Sequence, residues 1–189
     1  MNPADPAGIG ADFYAAWKRA MTDRISVQGR DGPFGAYIAW PKVLPAPAGV
    51  ALHEVFGVNA DIRKTCDELA EQGFMAVAPD LFWRQEPGVD LSVTSDPDWR
   101  HGLRLYQAYD RDKGARDVKD TADAVAKLPE CAGKVAVLGY CLGGLMTFLT
   151  AVASRRRRSG RLSWRRHREV SGRNRRPPRS AADASGRGG

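Results

Sequence analysis

The chain has 189 residues, with 29 Lys+Arg against 22 Asp+Glu and a formal net charge of +7, long enough for one domain with a real core. Thirteen arginines and two acids fall in residues 154–189, a net of +11, which leaves residues 1–153 at −4; the positive balance belongs to the tail and gives the body no basic footprint for nucleic acid. Cys66, Cys131 and Cys141 have neither metal-ligand spacing nor an even-numbered framework, the N-terminus has no signal-peptide pattern, and no run of 18 apolar residues exists, so the expected setting is reducing and cytoplasmic.

In chain order, residues 1–19 read as a lead-in, with a short helix over residues 12–21 carrying Phe13 and Trp17 on one side. Ile25-Ser26-Val27 and Gly35–Trp40 read as two strands around the turn Gly29-Arg30-Asp31-Gly32-Pro33, a hairpin at a sheet edge. Pro45-Ala46-Pro47 reads as a turn. The apolar run Gly49-Val50-Ala51-Leu52 then ends on the polar pair His53-Glu54, and in an open α/β sheet ligands sit beyond such strand ends. Asn59 or Asp61 can cap the next helix, in which Ile62, Cys66, Leu69 and Ala70 recur at helical spacing and Cys66 is a core residue. The helix ends at Gln72-Gly73, and Phe74–Ala78 follows as a parallel strand. Strand, helix and strand in about thirty residues make a right-handed βαβ unit.

Residues 85–111 are the least periodic part of the body and read as a long loop with a broken helix near its end, a lid or one wall of a pocket. Residues 112–128 read as a helix with Val118, Thr121, Ala122, Val125 and Leu128 on its apolar side, closed by Pro129. The wholly apolar Val135–Leu138 suits a strand buried on both faces. It runs into Gly139-Tyr140-Cys141-Leu142-Gly143, the Gly-x-nucleophile-x-Gly spacing of a strand-to-helix elbow. A helix N-terminus favours negative charge, so a thiol held there has a reason to ionise. The bland alternatives are a small buried Cys141 among packing glycines, a His53 that only hydrogen-bonds at its strand end, Glu54 as a turn acid and Arg84 as a surface charge. No resolving cysteine stands at Cys-x-x-Cys spacing, which argues against a redox role.

His53-Glu54-Val55-Phe56-Gly57-Val58-Asn59, Ala78-Pro79-Asp80-Leu81-Phe82-Trp83-Arg84 and Gly139-Tyr140-Cys141-Leu142-Gly143-Gly144 together resemble the dienelactone hydrolase (carboxymethylenebutenolidase-like) family, over roughly residues 20–153. The resemblance implies an α/β-hydrolase fold: a mostly parallel sheet with helices on both faces. It implies Cys141 as nucleophile, Glu54 as the glutamate that helps generate the thiolate, Arg84 as the contact to a substrate carboxylate, and the Val55 and Leu142 backbone N–H groups as the oxyanion hole. It further implies hydrolysis of a small lactone or ester through an acyl-enzyme, a monomer, and no metal or organic cofactor.

The family completes its triad with an aspartate and then a histidine downstream of the nucleophile. Here the downstream His167 lies among arginines and Asp183 follows it in the wrong order, so neither is carried over. The sequence reading therefore expects a truncated domain over residues 20–153, aggregation-prone and impaired in turnover. It expects a disordered Arg-rich tail over residues 154–189, of the composition that a reading-frame shift in GC-rich coding DNA would yield. The competing reading is a non-catalytic protein whose tail holds nucleic acid or anionic surfaces non-specifically; no specific nucleic acid and no membrane is expected as a partner.

Overall fold

The computed structural model describes residues 23–158; the lead-in, the helix expected over residues 12–21, and His167 and Asp183 lie outside the described residues. Five strands, β1 (Arg24–Gly29), β2 (Gly32–Ala39), β3 (Ala46–Leu52), β4 (Met75–Pro79) and β5 (Cys131–Gly139), form one sheet in the order β1-β2-β4-β3-β5. Four helices, α1 (Ala60–Glu71), α2 (Asp96–Gln107), α3 (Arg111–Val125) and α4 (Leu142–Arg158), complete the described architecture.

The sheet is mixed, which corrects the expectation of a mostly parallel one. β3 pairs parallel with β4 and with β5, while β1–β2 and β2–β4 are antiparallel. The cause is connection length. Arg30-Asp31 returns the chain at once, so β2 must run antiparallel to β1; α1 is long enough to carry the chain back for a parallel β4. Alternation of apolar residues finds each strand but does not state its neighbour.

Residue size differs between the sheet's two faces. Ala48, Val50, Leu52, Met75 and Val77 point to one side, where Val118 and Val125 of α3 and Met146 of α4 cover them. Ala51, Ala76 and Ala78 point to the other, where Ile62, Cys66 and Ala70 of α1 pack. This is the strand period of two, with the small side chains beneath α1. Asn59 caps α1, its Oδ1 accepting the Ile62 N–H at 3.2 Å, as the sequence predicts.

Three local expectations change. Ala46 and Pro47 belong to β3 and not to a turn: the Ala46 N–H donates to the Glu130 carbonyl at 2.9 Å, and Pro47, which has no N–H, falls where the β3–β5 register shifts. The long loop contains a regular helix, α2, opened by the Ser95 hydroxyl accepting the Asp98 N–H and by Pro97 in its first turn. Only Gly102 and Leu105 of α2 are buried, too thin a stripe to show as a period. Finally, Val135–Leu138 is not buried on both faces: Ala136 is exposed and its neighbours are half-buried, because β5 is the outermost strand among the described residues. No helix of the described residues is long and apolar enough to cross a membrane.

Candidate active site

The elbow after β5 is formed as its spacing predicts. Cys141 has φ +49°, the one non-glycine residue with positive φ among the described residues, and a cysteine held there is strained. Its side chain is exposed, and its carbonyl accepts the Leu145 N–H at 3.1 Å, so α4 starts directly behind it. The glycines are required by contact. A Cβ on Gly143 would stand 2.2 Å from the Leu52 carbonyl oxygen, and one on Gly139 would stand 2.5 Å from the Gly143 backbone. Strand, turn and helix are thus pressed backbone to backbone.

β3 ends beside the elbow. Leu52 is in register with Gly139, so Glu54 and Cys141 each stand two residues beyond the ends of neighbouring parallel strands. Glu54 is exposed and shares a small cleft of about 60 Å³ with Phe56, Asn59 and Tyr140. The following loop is held from several sides. The His53 ring is buried, takes the Leu81 N–H on Nε2 at 3.0 Å, and lies 2.6 Å from the Glu54 carbonyl through Nδ1. Val58 N–H donates to the Val89 carbonyl at 3.0 Å, and Leu91 N–H donates to the Phe56 carbonyl at 2.9 Å. Gly57, at φ +74°, meets Val89 so closely that a Cβ would lie 2.0 Å from its carbonyl oxygen. α2 supports the loop from behind: Gly102 abuts the Val55 carbonyl, and Trp99 meets Phe56 edge-on at 4.8 Å.

Several backbone N–H groups of buried residues here donate to no acceptor among the described residues: those of Val55 and Leu142, and also those of Phe56, Gly57 and Gly143. An exposed thiol on a strained turn, a neighbouring carboxylate and unused backbone donors at adjoining strand ends are the parts that acyl transfer needs.

Arg84 stands in a different cluster. Its two terminal nitrogens grip the Asp117 carboxylate, Nη2 also donates to Asp31 Oδ2 at 2.7 Å, and its guanidinium lies 4.3 Å above the Trp83 ring. Trp83 Nε1–H completes Asp117 at 3.1 Å. The hydrogen bond to Asp117 raises the Arg84 pKa further, and the same guanidinium lowers that of Asp31. No hydrogen bond or ion pair among the described residues links this cluster to Glu54 or Cys141. Sequence reasoning passed over Asp117, which sits one turn before Thr121 on the buried side of α3, and Asp80, whose Oδ1 and Oδ2 accept the Phe82 and Gly88 N–H groups at 2.9 and 2.7 Å. A polar residue on an apolar helical stripe was the available signal for the first, and the Asx-turn spacing Asp80-Leu81-Phe82 for the second.

The model of the dienelactone hydrolase family matches residues 34–164. A carboxymethylenebutenolidase of Pseudomonas putida is 41% identical over 132 residues, 69% of this chain and 56% of the relative; one from Cupriavidus pinatubonensis is 36% identical over 135 residues, 71% and 58%. The crystal structure of a dienelactone hydrolase-like promiscuous phosphotriesterase from metagenomic libraries superposes with a TM-score of 0.53 at 27% identity, covering 69% of this chain and 54% of that one. The chain spans little more than half the length of these curated relatives.

Proposed function

The chain belongs to the dienelactone hydrolase family, and from that premise we propose that it forms an acyl-enzyme with small carboxylic esters or lactones through Cys141. The single observation that carries the reading is the elbow: an exposed cysteine at φ +49° at the head of α4, beside the end of β3.

In this reading Glu54 accepts the Cys141 thiol proton, and Sγ attacks the substrate carbonyl carbon. The carbonyl oxygen becomes an oxyanion that takes hydrogen bonds from Val55 and Leu142 N–H. Collapse of the tetrahedral adduct breaks the ester C–O bond and leaves a thioester on Cys141; the departing oxygen takes the proton back from Glu54 and leaves as the alcohol or, from an enol-lactone, is freed as an enolate still tethered through the acyl group. Arg84 holds a substrate carboxylate. Asp31 is the partner such a group would displace, since it is bound by one nitrogen and its side chain is 46% exposed, whereas Asp117 is gripped by two and is 1% exposed. Deacylation needs a base for water. Among the described residues His53 has both ring nitrogens engaged and His101 Nε2–H donates to Glu86 Oε2 at 2.8 Å, so neither of these histidines is assigned as that base, and thioester breakdown is the slow step of this reading. A cysteine nucleophile also fits the reducing, cytoplasmic setting that the sequence suggests.

The test is intact-mass analysis of the folded 189-residue chain after incubation with p-nitrophenyl acetate. The expected result is one acetyl group per chain, mapped to Cys141, with a stoichiometric burst of nitrophenolate and slow turnover afterwards. Cys141→Ala abolishes both. Folded protein that carries no adduct on Cys141 would overturn the proposal.

A further inference from the structure

His53 is joined to two different peptide units, and the chemistry of its partners fixes its proton. The Leu81 N–H can only donate, so Nε2 is the bare nitrogen; the Glu54 carbonyl can only accept, so Nδ1 carries the hydrogen. The residue is 0% exposed and its ring packs against Phe82 with centroids 5.2 Å apart. Neither nitrogen is left to serve as a base.

The consequence lies in the peptide bond that His53 holds. The Glu54 carbonyl and the Val55 N–H belong to one planar trans unit, in which C=O and N–H point in opposite directions. Anchoring the carbonyl on Nδ1–H therefore aims the Val55 N–H away from the ring. That N–H belongs to a buried residue and has no acceptor among the described residues. The Val55 carbonyl on the next peptide is fixed against Gly102 of α2, so the peptide units on both sides of Val55 are held.

We propose that His53 is a positioning residue for the oxyanion hole: through Nδ1–H to the Glu54 carbonyl, with Nε2 locked by the Leu81 N–H of the β4 end, it sets the direction of the Val55 donor. This rests on the acyl-enzyme reading and adds the group that orders one half of its hole. Burial also pushes the His53 pKa down to about 4, which keeps the ring neutral across neutral pH.

A pair of reactions at the same sulfur separates this role from general damage. Acylation by p-nitrophenyl acetate passes through an oxyanion; alkylation by iodoacetamide is displacement at a saturated carbon and forms none. In His53→Leu the acylation rate of Cys141 should fall about tenfold to a hundredfold, with the alkylation rate within about twofold of the parent. His53→Gln, whose side-chain amide can accept from Leu81 and donate to Glu54, should recover most of the loss. Equal falls in both reactions, or no fall in acylation, overturn the proposal. A parent chain that is alkylated but never acylated at Cys141 overturns the acyl-enzyme reading itself, and the positioning role with it. Should His53→Leu not fold, nitrogen NMR of the parent decides: Nδ1 must be protonated and Nε2 bare at neutral pH, and the opposite tautomer excludes the proposed hydrogen bond to Glu54.

Discussion

Arg84 and Asp117 show how much one residue's role depends on what surrounds it. The family resemblance makes Arg84 a proposed substrate contact; in the fold its guanidinium also closes a polar knot that ties the end of β4 to α3 and to the β1–β2 turn. Asp117 is 1% exposed in the middle of α3, and Arg84 and Trp83 supply hydrogen bonds to both oxygens of its carboxylate. Asp117→Ala leaves a guanidinium with only Asp31 and should destabilise the fold by about 3 kcal/mol. Asp117→Asn keeps an acceptor for Trp83 and should cost distinctly less. Urea unfolding of the two variants checks the order; equal losses would mean that the charge contributes nothing beyond the shape of the side chain.

At the scale of elements, the ends of β3 and β4 are coupled through His53, and that coupling is sensitive to acid. The folded-state pKa of about 4 lies below the ordinary value of 6.5 because burial penalises the charged ring. The unfolded chain therefore binds this proton more readily. Stability conferred by neutral His53 is complete above pH 6.5 and is lost as the pH falls toward about 4, by about 3 kcal/mol over the window. Asp80 acts in the opposite sense: burial raises its pKa above 3.8, so folding gains as it protonates. The two slopes overlap near the acid end. Comparing the pH dependence of urea midpoints between the parent and His53→Gln isolates the histidine: the variant should lose the slope between pH 6.5 and 4. A parallel dependence in both proteins would show that other groups carry the acid sensitivity. α2 belongs to the same scale. Its sequence reads only as a broken helix near the end of a long loop, yet it backs the loop that bears Val55 through Gly102 and Trp99.

Across the whole molecule, the three cysteines report three depths. Cys141 is exposed, Cys131 is half-buried on the outermost of the described strands, and Cys66 is 0% exposed on the sheet-facing side of α1, with its thiol pushed up to about 12 by desolvation. A buried, protonated thiol reacts only when the structure opens. Iodoacetamide at neutral pH should modify Cys141 first and Cys66 last, and the Cys66 rate should rise with urea in step with unfolding seen by circular dichroism. Rapid labelling of Cys66 in folded protein would show that α1 detaches from the sheet without global unfolding. Val43, Tyr140 and Phe148 are the most exposed of the large apolar residues described; Tyr140 is part of the elbow and Phe148 lies on α4, which follows it.

Much of this was legible along the chain. Gly139-x-Cys141-x-Gly143 specifies an elbow because only glycine tolerates backbone at 2.2 to 2.5 Å from where a Cβ would be; that requirement is local, so spacing alone carries it. The α1 cap at Asn59, the burial of Cys66 and the β1–β2 turn are local in the same way. What the chain did not show is which elements become neighbours. The antiparallel docking of β2 on β4, the partners of Arg84, and the bond from His53 to Leu81, 28 positions away, are long-range pairings. Residue periodicity states which face a side chain takes within its own element. Which distant atom satisfies a buried donor or charge is decided only when the elements pack, because the cost of leaving it unpaired arises only once water is gone.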